Sequence, residues 1–69
     1  MKEIENLFKD KEIYSKDEAI VAMVLLGYIM KTESSNDEYY YYLDDQFYKT
    51  GIYGSFDINT VNESKWKRI

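Results

Sequence analysis

The spacing of apolar residues changes along the chain from a helical period to a strand-like period. Within residues 2–9 the apolar side chains are Ile4, Leu7 and Phe8, which share one face of a helix at positions i, i+3 and i+4. Residues 9–12 are all charged, which is typical of a solvated connection. The pattern therefore predicts a short N-terminal helix over residues 2–9.

A second, central helix is marked at both ends. Ser15 followed by Glu18 is a capping box, in which the serine hydroxyl and the glutamate carboxylate each accept the other residue's backbone N–H. Gly27 stands where a left-handed residue commonly ends a helix. Nearly every position from 19 to 26 is apolar, so we predict a helix over 16–26 with much of its circumference buried.

Beyond residue 27 the pattern predicts strands and turns. Residues 33–37 form a polar loop, and Gly51 and Gly54 indicate a bulge and a turn. Four short segments have strand-like composition: residues 28–30, 47–53, 56–61 and 64–69. The pattern is weakest in residues 56–61.

The tyrosine-rich residues 38–43 predict one arm of a β-hairpin. Alternation places Tyr40 and Tyr42 on one face and the odd-numbered residues on the other. A two-residue turn at 44–45 would bring two aromatic pairs together across the strands, Tyr42 with Phe47 and Tyr41 with Tyr48. Each such pair stabilises a hairpin by about 0.2–1 kcal/mol.

These elements predict an α+β fold in a single domain over residues 1–69. A short N-terminal helix and one central helix would pack on a small antiparallel sheet of three to five strands. A core in a chain of 69 residues supplies only about 3–5 kcal/mol of net stability, so a homodimer is a reasonable alternative to a monomer.

Composition narrows the chemistry. The chain has no cysteine and no histidine, which excludes disulfides, thiolate zinc sites and imidazole ligands. It has neither a GxSxG motif nor a phosphate loop. We therefore expect no catalytic residue, no metal, no cofactor and no enzymatic activity.

Charge and hydropathy indicate the compartment. A net charge of −4 disfavours direct nucleic-acid binding, which usually needs a basic surface. The longest apolar run has 12 residues, whereas a membrane-spanning helix needs about 20, and the first residues do not read as a signal peptide. We expect a cytoplasmic protein without membrane contact.

An acidic, tyrosine-rich stretch over residues 33–48 is the main candidate for function. It carries five acidic residues and five tyrosines without a lysine or arginine. On one hypothesis this stretch docks on the basic groove of a nucleic-acid-binding protein; on the other, one face is core and the acids only solubilise the strand ends. The candidate contacts are Asp37, Glu38, Tyr40, Tyr42, Asp44 and Asp45.

The same acids have two further interpretations. Asp44 with Asp45 could form a carboxylate pair for acid–base chemistry, but aspartate favours turns and a hairpin turn is the stronger interpretation. Together with Asp37 and Glu38 they could hold a divalent cation. Their spacing is not that of an EF-hand loop, which favours a solvated acidic edge instead.

The basic C-terminal segment is the alternative candidate. Lys65, Lys67 and Arg68 surround Trp66, and together they could bind a phosphate-bearing small molecule with the indole stacked on a base. In the competing interpretation, the tryptophan belongs to the core and the lysines only make the surface soluble.

The order of these parts resembles a group of small bacteriophage proteins. A capped helix reading DEAIVAMVLLGYIM leads into a strand, then into the hairpin YYYYLDDQFY and a closing KW. This is similar, over about residues 15–69, to the general shape of the Thoeris anti-defence proteins, which sequester cyclic nucleotide signals. The resemblance implies a phage or mobile-element accessory protein. No binding residues follow from it, because an acidic loop stands where that group has a basic, tryptophan-containing segment.

The sequence thus favours a non-enzymatic inhibitor, encoded by a phage and acting in the host cytoplasm. It would block a host defence protein, such as a CRISPR effector, or another protein with a basic nucleic-acid-binding surface. Two alternatives stay open: an oligomer that sequesters a nucleotide defence signal, and a structural module whose tyrosine face forms a homodimer.

Overall fold

The computed structural model describes residues 2–35 and 37–69. Within them the elements follow in the order α1 (Lys2–Phe8), α2 (Lys16–Leu26), β1 (Met30–Thr32), β2 (Tyr40–Leu43), β3 (Gln46–Lys49), a 3-10 helix (Ile58–Thr60) and β4 (Trp66–Arg68). The four strands form one antiparallel sheet in the order β3-β2-β1-β4. The predicted α+β fold, with two helices on a small antiparallel sheet, is confirmed.

Helix α2 begins and ends where the sequence predicts. The Ser15 hydroxyl accepts the Glu18 N–H at 3.2 Å, and the Ser15 N–H donates to the Glu18 carboxylate at 2.9 Å. Gly27 adopts a left-handed φ of 68°, and its N–H closes the last turn. Tyr28 donates its N–H to the Ala22 carbonyl at 3.2 Å. Tyr28 therefore belongs to the helix end, and β1 starts at Met30 instead of residue 28.

Only one side of α2 is buried. Ala19, Ala22 and Met23 are inaccessible to solvent, whereas three residues on the other side are 37–42% exposed: Val21, Val24 and Leu25. The prediction that much of this helix's circumference is buried was wrong. A two-layer fold covers one side of a helix and leaves the other in water.

Trp66 lies at the centre of the core and is fully buried. Its backbone exchanges two hydrogen bonds of 2.8 Å with Tyr14, which attaches the segment before α2 to β4. The Tyr14 ring packs edge-on against Phe8 at the end of α1, with centroids 5.4 Å apart. On the other side, the Tyr40 ring packs against the Trp66 indole at 4.9 Å. One indole thus joins both ends of the chain to the hairpin.

The hairpin has the predicted register. Tyr41 pairs with Tyr48 and Tyr42 pairs with Phe47 across β2 and β3. Asp44 and Asp45 form the turn with φ values of 50° and 66°. Positive φ at both central residues is the geometry that matches the twist of a two-residue hairpin, and aspartate tolerates it. The turn interpretation of the two aspartates is confirmed.

Several predicted strands are shorter than expected; the last, predicted over residues 64–69, is β4 at Trp66–Arg68. β3 ends at Lys49 because Gly51 and Gly54, with φ values of 85° and 81°, turn the chain away from the sheet. Within the weak 56–61 segment, Phe56 makes a single bridge to the hairpin, and a 3-10 helix follows. Asp57 starts that helix by accepting the Asn59 N–H at 2.9 Å, a local bond that competes with strand formation.

Among the described residues, neither helix combines the length and apolar content that are needed to cross a bilayer.

The capping box makes a testable contribution to stability. The Ser15 N–H and, secondarily, the Lys11 ammonium 3.1 Å away lower the pKa of Glu18 below its ordinary value. A carboxyl whose pKa is lower in the folded state stabilises the fold above its ordinary pKa, and this contribution is lost as the pH falls through the folded value. We expect Glu18→Gln to lower the free energy of unfolding at pH 7 and to approach the parent protein in acid.

Urea titrations between pH 3 and pH 7 would measure this difference. Glu12→Gln, which removes an exposed carboxylate just outside the helix, is the matched control. A Glu18→Gln deficit that stayed constant down to pH 3 would show that charge has no part in the cap.

Candidate functional site

The sheet has one covered and one open face. Met30, Tyr40 and Trp66 are buried on the covered face, in the same core as residues from both helices. Strand alternation places the intervening residues on the opposite side. We call this side the open sheet face, and it comprises Lys31, Tyr39, Tyr41, Leu43, Gln46, Tyr48 and Lys67.

A stacked pair of tyrosines occupies one half of the open sheet face. The Tyr41 and Tyr48 rings are nearly parallel, at an interplanar angle of 15°, with centroids 5.4 Å apart. Beside them Tyr39 is 39% exposed and Leu43 is 55% exposed. Because the two stacked rings belong to hydrogen-bonded strands, they form a flat aromatic surface that is already ordered.

The other half of the open sheet face is basic. Lys31 and Lys67 are direct cross-strand partners in β1 and β4. Like charges directly opposite each other destabilise a sheet, so this pair is not explained by folding alone. Lys31 and Lys67 are half-buried, and the exposed Lys65 lies two residues before Lys67 along the same edge. The face therefore changes from aromatic to basic across the sheet.

The predicted acidic contacts do not form one patch. Asp37 and Glu38 precede β2, whereas Asp44 and Asp45 follow it. At about 3.4 Å per residue, Glu38 and Asp44 are separated by about 20 Å along the strand. The Glu38 carboxylate also accepts a bond from the Lys49 ammonium at 2.8 Å, and this bond raises the pKa of Lys49. Three acids are exposed at the two ends of β2: Asp37, Asp44 and Asp45.

Within residues 2–35 and 37–69, no group of three or more acidic side chains is close enough to hold a metal ion.

The two tyrosines predicted as contacts lie on the covered face, which corrects that prediction. Tyr40 is 3% exposed and packs on Trp66, so it is not available to a partner. Tyr42 is half-buried at the sheet edge, where its ring packs on Phe47 at 4.9 Å. Burial and the neighbouring Asp45, whose carboxylate accepts the Tyr42 hydroxyl at 3.4 Å, raise the pKa of Tyr42. The tyrosines on the open sheet face are instead Tyr39, Tyr41 and Tyr48.

The structure also corrects the alternative ligand site at the C-terminus. Trp66 is fully buried, and its indole N–H donates to the Glu63 carbonyl at 2.9 Å, so it cannot stack on a bound base. The Arg68 guanidinium lies 3.6 Å from the centre of the Tyr28 ring. The tryptophan of this segment belongs to the core, and its basic residues lie at the surface. This agrees with the competing interpretation, in which the lysines only solubilise the chain.

A cleft of about 370 Å³ lies on the covered side of the sheet and was not foreseen from the sequence. Its walls come from the loop after β1, the open end of the hairpin opposite its turn, and the 56–63 segment. Residues that carry its polar groups include Thr32, Ser34, Glu38, Lys49, Thr60 and Glu63. No sequence motif could have revealed it, because these residues are brought together from three separate parts of the chain.

Comparison with known proteins adds no relationship to this geometry. No protein-family model matches the chain, and neither a curated protein nor a solved structure matches it.

Proposed function

We propose that this chain is a non-enzymatic binding protein that docks on a partner protein through the open sheet face. The observation that carries the proposal is the stacked, half-buried pair Tyr41 and Tyr48, which lies beside the exposed Tyr39 and Leu43 on a sheet face that neither helix covers. Tyrosine is favoured at protein interfaces because it combines a large apolar ring with a polar tip and has few rotatable bonds.

The order of this surface supports the proposal. Both stacked tyrosines lie on paired strands, so little side-chain entropy remains to be lost when a partner covers them. The tyrosines and Leu43 together provide an apolar centre, and the lysines and aspartates around them provide a charged rim. This arrangement of apolar centre and polar rim is that of a protein–protein interface.

The negative charge of the hairpin turn supports a partner whose surface is basic where it faces that turn. Asp44 and Asp45 are both exposed at the tip, and the whole chain has a net charge of −4. Exposed charges of this kind mainly accelerate association, whereas buried aromatic anchors set the lifetime of a complex. The tip would therefore steer the approach of a basic surface, and the tyrosines would hold it.

The narrower hypothesis extends this proposal to a phage-encoded inhibitor in the host cytoplasm. Its partner would be a defence protein with a basic nucleic-acid-binding surface. The exposed aspartates of the tip are compatible with that partner.

A homodimer is the second candidate, because the open sheet face is electrically polarised. Lys31 and Lys67 lie in one half, and Asp44 and Asp45 lie beyond the other. A two-fold axis through such a face would place the lysines of each copy near the aspartates of the other.

Removing the stacked tyrosines should weaken partner binding without unfolding the protein. We expect Tyr41→Ser combined with Tyr48→Ser to weaken the complex by about 30-fold, which corresponds to the loss of about 2 kcal/mol at a binding hot spot. The lost ring–ring contact should lower the free energy of unfolding by about 0.5–1.5 kcal/mol, in addition to the apolar area that these half-buried rings cover.

Quantitative affinity capture followed by titration of the recovered partner would measure the loss. Val24→Ser on the exposed side of α2 is the control, because it removes an exposed apolar side chain from a different surface. Equal recovery of the same partner by the double tyrosine variant would exclude the open sheet face as the interface.

Neutralising the hairpin tip should change the association rate more than the dissociation rate. We choose Asp44→Asn with Asp45→Asn because asparagine tolerates the positive φ values of 50° and 66°. Association should become slower and less dependent on salt, while dissociation changes little. Surface plasmon resonance between about 20 and 300 mM salt would measure both rates. An unchanged association rate at low salt would contradict the steering role.

Sedimentation velocity over a range of concentrations separates the homodimer from the partner-binding hypothesis. If the parent protein forms dimers and the Tyr41→Ser, Tyr48→Ser variant is monomeric, the open sheet face serves self-assembly. The partner-binding proposal predicts a monomeric parent.

A further inference from the structure

We infer that the cleft is a binding site for a small, uncharged ligand that carries several hydroxyl groups, the chemistry of a sugar or polyol. This site lies on the covered side of the sheet and is separate from the open sheet face. It therefore adds a ligand to the proposed partner-binding role and does not depend on it.

The cleft has an ordered apolar floor. The half-buried Phe56 supplies its accessible ring, and the buried Tyr40 ring, which is only 3% exposed, supports Phe56 with centroids 5.8 Å apart. An aromatic floor of this kind suits the C–H face of a sugar ring, which is apolar although its edges are polar. The volume of about 370 Å³ lies in the range of known small-molecule sites, about 300–1,000 Å³.

The walls of the cleft can both donate and accept hydrogen bonds. Besides Tyr40, four residues contribute hydroxyl groups and one contributes an amide: Thr32, Ser34, Ser35, Thr60 and Asn62. The Ser34 and Thr60 hydroxyls already donate to the Glu63 carboxylate and the Asp57 carbonyl, so they keep acceptor capacity for a ligand. The Asn62 amide presents both donors and an acceptor. A ligand whose own groups are hydroxyls can satisfy such walls from either direction.

The charges of the cleft argue against other ligand classes. The Lys49 ammonium is already bonded to the Glu38 carboxylate at 2.8 Å. Glu63 accepts one hydrogen bond, from Ser34 at 3.3 Å, and keeps acceptor capacity for a ligand hydroxyl. Two carboxylates and one ammonium leave the lining with a formal charge of −1, which disfavours phosphates and other anions. A wholly apolar ligand would leave the polar walls without partners when it displaces water.

The walls are held in place by contacts that do not involve a ligand. The Ser34–Glu63 bond joins the loop after β1 to the 56–63 segment. The buried Trp66 indole fixes the Glu63 carbonyl at 2.9 Å. Asp57 caps the short helix that carries Thr60, and its carbonyl accepts the Thr60 hydroxyl at 2.7 Å. A site supported in this way keeps its shape before the ligand arrives.

NMR titration of the ¹⁵N-labelled full chain tests the inference. The probes are glucose, galactose, ribose and myo-inositol, each raised to about 50 mM because weak, millimolar binding is expected for so open and polar a site. Inorganic phosphate and adenosine monophosphate are the anionic comparators. We expect at least one neutral probe to shift the amide resonances of Ser34, Thr60 and Glu63 in a saturable manner, with no comparable effect of the anions.

Variants separate the cleft from the rest of the surface. Glu63→Gln should weaken binding of that probe by about tenfold, because one charge-assisted hydrogen bond is lost. Its fold should persist, since the indole of Trp66 bonds to the backbone of residue 63 and not to its carboxylate. Glu12→Gln is the matched control and should bind as the parent does.

Three outcomes would overturn the inference. They are the absence of localised, saturable shifts with every neutral probe, tighter binding of either anion at the cleft, and equal affinity of the Glu63→Gln variant. The Tyr41→Ser, Tyr48→Ser variant should bind the sugar probe normally. The partner-binding proposal and the cleft proposal are thus tested by different variants, so that either can fail without the other.

Discussion

The burial of Trp66 is the interaction on which the rest of the structure depends. Its backbone pairs with Tyr14 just before α2, its ring packs on Tyr40 in the hairpin, and its indole N–H holds the carbonyl of Glu63. Truncating a buried aromatic residue to alanine commonly costs about 3–5 kcal/mol. That cost is as large as the whole net stability expected for a domain of this size, about 3–5 kcal/mol. A single residue near the C-terminus therefore connects the helix entry through its backbone, and the hairpin and one wall of the cleft through its side chain.

A two-layer architecture determines which surfaces stay free. The helices cover one face of a four-stranded sheet, and the chain described here has no third layer to cover the other. The stacked Tyr41 and Tyr48 consequently lie in contact with water, as do Val21 and Val24 on the outer side of α2. The tyrosine surface differs from the valine surface because it is ordered by strand pairing and bordered by charges of both signs. These properties make the open sheet face the stronger candidate for a partner.

The two candidate sites use opposite sides of the same hairpin. Tyr41 and Tyr48 belong to the open sheet face, while Tyr40 and Lys49, which pair with each other in the same register, line the cleft. Because alternate residues of a strand point to opposite faces, one short run of tyrosines contributes to both sites. The ion pair between Lys49 and Glu38 has a role in each. It removes an acid from the exposed surface and reduces the negative charge of the cleft.

Local interactions explain why much of the fold could be predicted from the sequence alone. The capping box at Ser15, the left-handed Gly27 and the turn at 44–45 act within a few residues, so their patterns determined the bounds of α2 and the register of the hairpin. Alternation likewise showed that the tyrosines of β2 divide between two faces. Only the tertiary structure decided that the even-numbered face is buried, because that depends on Trp66, more than twenty residues away in the sequence. The same holds for the cleft, whose hydroxyls and carboxylates become neighbours only when three distant segments pack together.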